Sequence, residues 1–387
     1  MPFDTVFPSV QPVSQRSMQW YQTLLRPLLF RFDPERVHHA TVEACCLTGW
    51  ITPLRALAKW RLDYISDRLQ TNVAGLGFNN PVGLAAGWDK SGRAIRMLDH
   101  LGFGFIEIGS ISARPSVGNP RPRLFRLPED AAIVVNYGLP NDGAEVVAQR
   151  LVKYRSQVPL GVNLVKTNDG PGAPAASEDE ILEDYVRSFA LLHHRADYVA
   201  LNLSCPNAAG GKDFFREPGQ VGRLLTRLAE EQPAAPVFLK VAPDPSPAAM
   251  DDLLTQVDPF PFVSGFLFNL PVGKPTTLTA PRSSWEHLPG AVSGKPVQQL
   301  ANDCIREMYR RMPRGRYAII GGGGLFSAED AYAKIRLGAS LVQIYTALVY
   351  EGPGVTRRIN AGLDRLLERD GLRHISEAVG VDNPSGR

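Results

Sequence analysis

The sequence predicts an α/β protein: a closed (β/α)8 TIM barrel preceded by a small N-terminal helical module. Three observations carry this expectation. Short apolar runs recur at Val82–Ala86, Phe105–Gly109, Leu160–Leu164, Tyr198–Leu203, Val237–Val241, Gly265–Asn269, Tyr317–Ile320 and Leu341–Ile344. Most of these strand-like runs lead through a loop into a segment of helical periodicity, clearest at Ile181–Ala196, Gln220–Glu231 and Ala328–Leu337. Serial strand-loop-helix units favour a parallel barrel. The runner-up is a doubly wound sheet, but no Gly-x-Gly-x-x-Gly with a following acid succeeds the first strand.

The remaining elements follow in order. Residues 1–17, with Pro2, Pro8 and Pro12, read as a flexible tail. Residues 18–66 read as the helical module. Trp20, Leu24 and Leu28 form one i, i+4 row, and Tyr21, Leu25 and Leu29 the row beside it. Pro27 should kink or restart that helix. Asp33-Pro34-Glu35 reads as an N-cap, a first-turn proline and a first-turn acid, opening a second helix that stops near Gly49. Residues 67–380 are the expected barrel, and 381–387 a short tail.

Composition narrows the function. The chain has 387 residues, 44% hydrophobic and 21% charged, which is globular and not disordered. Forty-two Lys and Arg against 39 Asp and Glu give +3, too small an excess for a nucleic-acid binder that relies on phosphate contacts. Four cysteines in so long a chain make no disulfide framework. No apolar run approaches the roughly 20 residues of a membrane span, and the first residues do not form a signal peptide. The expectation is a soluble enzyme or binding protein of a reducing compartment.

A barrel enzyme works at the C-terminal ends of its strands. The polar residues there include Asp89 and Lys90, Ser110, Asn163 and Lys166, Asn202, Ser204, Cys205 and Asn207, Lys240, Asn269, Gly321 to Gly324, and Tyr345-Thr346. This set lacks the paired His or carboxylate ligands of a metal site. Gly321-Gly322-Gly323-Gly324 lies between a strand and a helix that starts near Ser327, where bare backbone amides can cradle a phosphate. Ser293-Gly294-Lys295 could add another amide pair. Cys205, between polar residues and before Pro206, suits an exposed thiol, whereas Cys45, Cys46 and Cys304 read as small core hydrophobes. The pairs His38-His39 and His193-His194 read as surface or cap histidines.

Several of these strings carry a family resemblance. Pro81-Val82-Gly83-Leu84-Ala85-Ala86-Gly87-Trp88-Asp89-Lys90 resembles the first-strand signature of dihydroorotate dehydrogenases. Phe105-Ile106-Glu107-Ile108-Gly109-Ser110, the stretch Gly118 to Leu127, and the stretch Gly338 to Thr346 are similar to further family motifs. The helical module, with Arg26-Pro27-Leu28-Leu29-Phe30 and Asp33 to His38, resembles the N-terminal extension of the membrane-associated, quinone-using class 2 enzymes.

The resemblance implies a barrel holding FMN that oxidises (S)-dihydroorotate to orotate in pyrimidine biosynthesis and passes the electrons to a quinone. Ala85, Ala86, Gly87, Ser110, Asn163, Asn202, Lys240, Gly294, Gly323, Tyr345 and Thr346 match its FMN positions. Lys90, Asn202 and Asn207 match substrate positions, with Asn269 the remaining Asn of a further substrate loop. Cys205 matches the catalytic base, and His38, Arg126 and Tyr345 match the quinone tunnel. The implied location is peripheral, on the cytoplasmic membrane or, in a eukaryote, the inner mitochondrial membrane. There are departures. The base is Cys, as in class 1, where class 2 has Ser. Val134 to Asn141 departs from the family's Ile-Asn-Arg pattern, so Val135 falls where a substrate-contacting Asn is expected. Val165 and Thr167 replace a Gly and an Asn, and Phe268-Asn269-Leu270 reduces Asn-Thr-Thr to a single Asn. Two alternatives follow: a related flavoenzyme acting on another cyclic amide or enamide, and a flavin-binding or membrane-docking protein without activity.

Overall fold

The structure, a computed structural model, describes residues 20–170, 172–204, 214–271, 273–275 and 277–383. Its centre is a closed parallel barrel of β1 (Val82–Leu84), β2 (Phe105–Ile111), β3 (Leu160–Leu164), β4 (Tyr198–Asn202), β5 (Val237–Val241), β6 (Val263–Phe268), β7 (Ala318–Gly321) and β8 (Leu341–Ile344). Each strand pairs with its neighbours in sequence, and β8 closes on β1 through Val342↔Val82. Every apolar run expected to be a strand supplies one stave of this barrel.

Side chains alternate along each strand, so the barrel interior fills in layers. The lower layer holds Phe105, Tyr198, Phe238 and Leu341, with Phe78 of the hairpin Thr71–Val73 and Leu76–Phe78 closing the bottom. Gly161 makes room for it: a Cβ there would lie 2.1 Å from Tyr198 Cζ. Two residues further along three of these strands the inward positions turn polar, with Glu107 after Phe105, Lys240 after Phe238 and Gln343 after Leu341. Outer helices cover the barrel. Glu178–Leu192 opens with a Ser177/Glu180 capping box and buries Ile181, Tyr185 and Phe189. A three-stranded antiparallel sheet, Leu124–Leu127, Ala132–Val135 and Ala291–Gly294, places Val135 between Leu124 and Ala291 and contributes to the mouth.

The N-terminal module has more helix than its sequence announces. A π-helical turn, Tyr21–Leu25, runs into Arg26–Leu29, with Pro27 in the first turn of the second piece. The first row of the stripe, Trp20, Leu24 and Leu28, is exposed, while Tyr21 turns inward and its hydroxyl donates to the Val349 carbonyl at 2.7 Å. Helix α1 (Pro34–Thr48) is capped by Asp33, whose side chain accepts from Arg36 N. A further helix, α2 (Thr52–Leu62), was not foreseen. Its apolar residues are mostly exposed among Arg55, Lys59 and Arg61, so no buried stripe announces it. The module is tied to the barrel by Asp364, which accepts from Tyr64 OH at 2.8 Å and Ser66 Oγ at 2.9 Å.

Two expectations about histidines need correction. His193 is buried and stacked on Phe189 at 4.6 Å, because the end of its helix packs inward. His38 is half-buried, since the inner face of α1 lies over the barrel mouth.

Candidate active site

The strand ends converge on one concavity. Its wall includes Ala85, Ala86 and Gly87 after β1, Ser110 on β2, Asn202 on β4 and Lys240 on β5. Asn269, Gly322 to Gly324, Tyr345 and Thr346 complete it from the ends of β6, β7 and β8, with Gly294 from the three-stranded antiparallel sheet. Lys90, Val135, Tyr137, Leu139 and Pro140 line the same cavity.

A hydrogen-bonded row crosses its floor. Asn269 Nδ2 donates to Asn202 Oδ1 at 2.7 Å, Asn202 Nδ2 to Ser110 Oγ at 3.1 Å, and the Ser110 hydroxyl to Asn163 Oδ1. Asn163 is fully buried behind Ser110 and is not part of the cavity wall; its Nδ2 donates to Glu107 Oε1 at 2.9 Å. Glu107 stood in a family motif of the sequence but without a role of its own. An acid at an inward-facing barrel position, between Ile106 and Ile108, was the signal available.

Lys90 sits where the barrel meets α1. Its Nζ lies 3.0 Å from His38 Nε2 and 4.1 Å from the centre of the Tyr137 ring. Burial pulls the Lys90 ammonium down to about 7, against the pull of Glu35 and Asp89. Burial also lowers His38, and the neighbouring Lys90 charge adds to it. His38 packs against Trp88, Tyr137 and Tyr345, the last at 6.4 Å between ring centres. Glu35, one turn before His38, is itself buried; Arg123 and Arg121 outweigh its desolvation and hold its carboxyl below the usual range. Arg123 in turn donates to the carbonyls of Val117 and Asn119, which fastens the loop beside Tyr137. Arg126 lies apart from the cavity, over the Phe30 ring at 4.4 Å and bonded to the Phe32 carbonyl.

Just before helix Ala328–Leu337, the Asp330 carboxylate accepts from Phe326 N at 2.9 Å and Ser327 N at 3.1 Å, so those two amides are taken. Lys295 is committed to the same carboxylate at 2.9 Å. The glycine loop remains the candidate anion cradle. A Cβ at Gly322 would meet nothing within 4 Å, so the loop faces open space. Glycine backbone at one end of the cavity and a lysine ammonium among amides at the other fit a phosphate-bearing flavin. Cys205 and Asn207 lie outside the described residues.

The family profile described as Dihydroorotate dehydrogenase matches residues 68–367. A protein of Anaeromyxobacter dehalogenans (strain 2CP-C) named "Dihydroorotate dehydrogenase (quinone)" is 41% identical over 373 residues, covering 94% of this chain and 97% of that protein. The chain belongs to the dihydroorotate dehydrogenase family. A second dihydroorotate dehydrogenase (quinone), from Sphingopyxis alaskensis, is 41% identical over 92% of this chain and 96% of its own length. The crystal structure of the Eimeria tenella enzyme in complex with ferulenol is similar at TM-score 0.75 and 32% identity, covering 91% of this chain and 96% of that one. The coverage extends the likeness into the helical module. Dihydroorotate dehydrogenases are generally flavin-dependent, in keeping with the cavity's chemistry.

Proposed function

We propose that this chain oxidises (S)-dihydroorotate to orotate and delivers the electrons to a quinone, with FMN as its cofactor. One observation supports this most: a single cavity joins a lysine, Lys90, and a row of amides, Asn202 and Asn269, to the Lys240 and Gly322–Gly324 ends. An anionic, cyclic di-carbonyl substrate matches the first group. Lys90 takes the substrate carboxylate, and Asn202, Asn207 and Asn269 hold the ring amides. Cys205 accepts the proton from the ring carbon next to the carbonyl carbon. The flavin supplies the two-electron acceptor for hydride leaving the adjacent carbon. Ala85, Ala86, Gly87, Ser110, Gly294, Gly323, Tyr345 and Thr346 would hold that cofactor, and Lys240 would stabilise the negative charge that it gains on reduction. Binding the substrate in one orientation between base and cofactor supplies much of the rate.

The acceptor reaches the site beneath α1, past His38 and Tyr345, with Arg126 at the outer end. Among the described residues, all but four of the exposed large hydrophobic side chains lie between Trp20 and Ile65. No described helix is long and apolar enough to cross a membrane. Exposed Trp and Leu interleaved with Arg and Lys support docking of this module on a lipid surface, from which a quinone enters. The test is spectroscopic. Dihydroorotate added without oxygen is expected to bleach the flavin, and a ubiquinone analogue to restore the colour. Failure to bleach, or recovery with fumarate or NAD in place of quinone, overturns the assignment.

A further inference from the structure

We infer that Glu107, in the barrel interior below the cavity, is a positioning residue that fixes the donor direction of the floor amides and supplies the counter-charge of Lys240. Its carboxylate is wholly buried and surrounded by donors. Oε1 accepts from Asn163 Nδ2 at 2.9 Å and lies 3.9 Å from Lys240 Nζ; Oε2 accepts from Gln343 Nε2 at 2.8 Å and Tyr198 OH at 3.2 Å.

An ionised carboxylate only accepts hydrogen bonds. Asn163 must therefore present its NH2 to Glu107 and its oxygen to Ser110. Ser110 spends its proton on that oxygen, so it can only accept from Asn202. Asn202 then has NH2 towards Ser110 and its oxygen towards Asn269 Nδ2. The acceptor-only end of the row thus fixes the orientation of every amide along it. Asn202, in the cavity wall, is left with an N–H to offer and its oxygen engaged. The floor asks its ligand for acceptors, as a ring carbonyl provides.

The charge has a second consequence, which rests on the reading that a flavin lies against Lys240. Buried charges a few ångströms apart act strongly on one another. Glu107 moderates the positive field that Lys240 presents to the cavity. Exchanging it for Gln removes the charge at nearly constant volume. The amide can preserve the row by turning its NH2 to Tyr198 and Gln343, both of which can also accept.

The experiment has two parts on the holoenzyme. Neutron diffraction from the parent protein in D2O locates the deuterons of Asn163, Asn202 and Asn269. The expected result is ND2 of Asn163 on a bare Glu107 carboxylate; a deuteron on Glu107, or a reversed amide, overturns the inference without any variant. The flavin midpoint potential of Glu107→Gln is expected to rise, with at least a tenfold shift in the reduced-to-oxidised ratio, about 30 mV for a two-electron couple. Glu107→Asp should stay within twofold of the parent. A Gln variant that binds flavin at the parent potential overturns the charge role. A parent protein that purifies without flavin overturns the functional reading instead, and the deuteron positions still decide the amide orientation.

Discussion

Lys90 Nζ and His38 Nε2 lie 3.0 Å apart, joining the barrel's first strand-end loop to the N-terminal module. A charged lysine can only donate, so in that state the neutral imidazole accepts. Asp89, the nearest acid in sequence, does not pair with it, because its carboxylate is spent on the backbone N–H groups of Ser91, Arg93 and Ala94. Glu35 is held by Arg123. Lys90 is thus a half-buried cation with no carboxylate in an ion pair with it among the described residues, which suits the proposed role of meeting the substrate carboxylate.

A pH dependence follows. Burial holds Lys90 at about 7, and an anion beside it favours the charged form. Orotate binding should therefore take up a proton above that pH, with affinity falling up to tenfold per pH unit and levelling off below it. The stability term has the same origin. A lysine lowered from its unfolded value costs stability fully below pH 7, and that cost fades as pH rises towards about 10. His38→Ala should admit water to Lys90, move the break in affinity upwards and weaken orotate severalfold. Titrating the flavin spectrum with orotate from about pH 6 to 9 checks both; affinity independent of pH would remove Lys90 from the anion site.

The glycine loop separates fold from cofactor. Gly324 has φ +69°, and a Cβ there would lie 2.4 Å from Gln298 Cβ. Gly324→Ala is expected to cost about 2 kcal/mol or more and lower the melting temperature by several degrees. Gly322 has open space, so Gly322→Asp should fold. Its carboxylate would repel a phosphate, and the protein should purify with little flavin. Thermal melting and the flavin-to-protein absorbance ratio tell the two effects apart. Full flavin content in Gly322→Asp would remove this loop from the phosphate site.

What the sequence disclosed and what it hid have physical reasons. Barrel staves are short and apolar with polar ends, so Asn202 and Lys240 were legible as mouth residues. Caps are local, so Asp33 marked α1 at once. The pairing of Ala132–Val135 with Ala291–Gly294 joins distant segments, and no local pattern announces it. The same holds for Lys90 and His38, brought together only when α1 lies down on the mouth. Asp330 was overlooked for the opposite reason. A helix start after a glycine run looked wholly open to a ligand, yet its own third residue takes the two amides just before it.

Membrane docking is tested on α2 and its surroundings. Trp50 and Trp60 are each 71% exposed, close to Arg55, Lys59 and Arg61. Such tryptophans suit the headgroup region of a bilayer. The double substitution Trp50→Ser and Trp60→Ser should weaken flotation with anionic vesicles at least tenfold. It should raise the KM for a long-chain quinone and leave flavin content and turnover with a water-soluble dye unchanged. Undiminished flotation would mean that the exposed residues serve another contact.

Cys205 is tested by dividing the reaction into halves. It follows β4 by three positions, after Asn202, and its thiol is the proposed proton acceptor for substrate oxidation alone. Cys205→Ala should therefore keep its flavin and lose reduction by dihydroorotate by several orders of magnitude, since a positioned base contributes about 10²–10⁴-fold. The same variant, reduced with dithionite, should pass electrons to quinone at the parent rate, because that half needs no thiol. Cys205→Ser should restore weak reduction, a hydroxyl being a poorer base without help. Rapid-mixing absorbance of the two half-reactions separates the possibilities. Parent-like reduction in Cys205→Ala would assign the base to another residue; equal loss in both halves would point to a damaged flavin site.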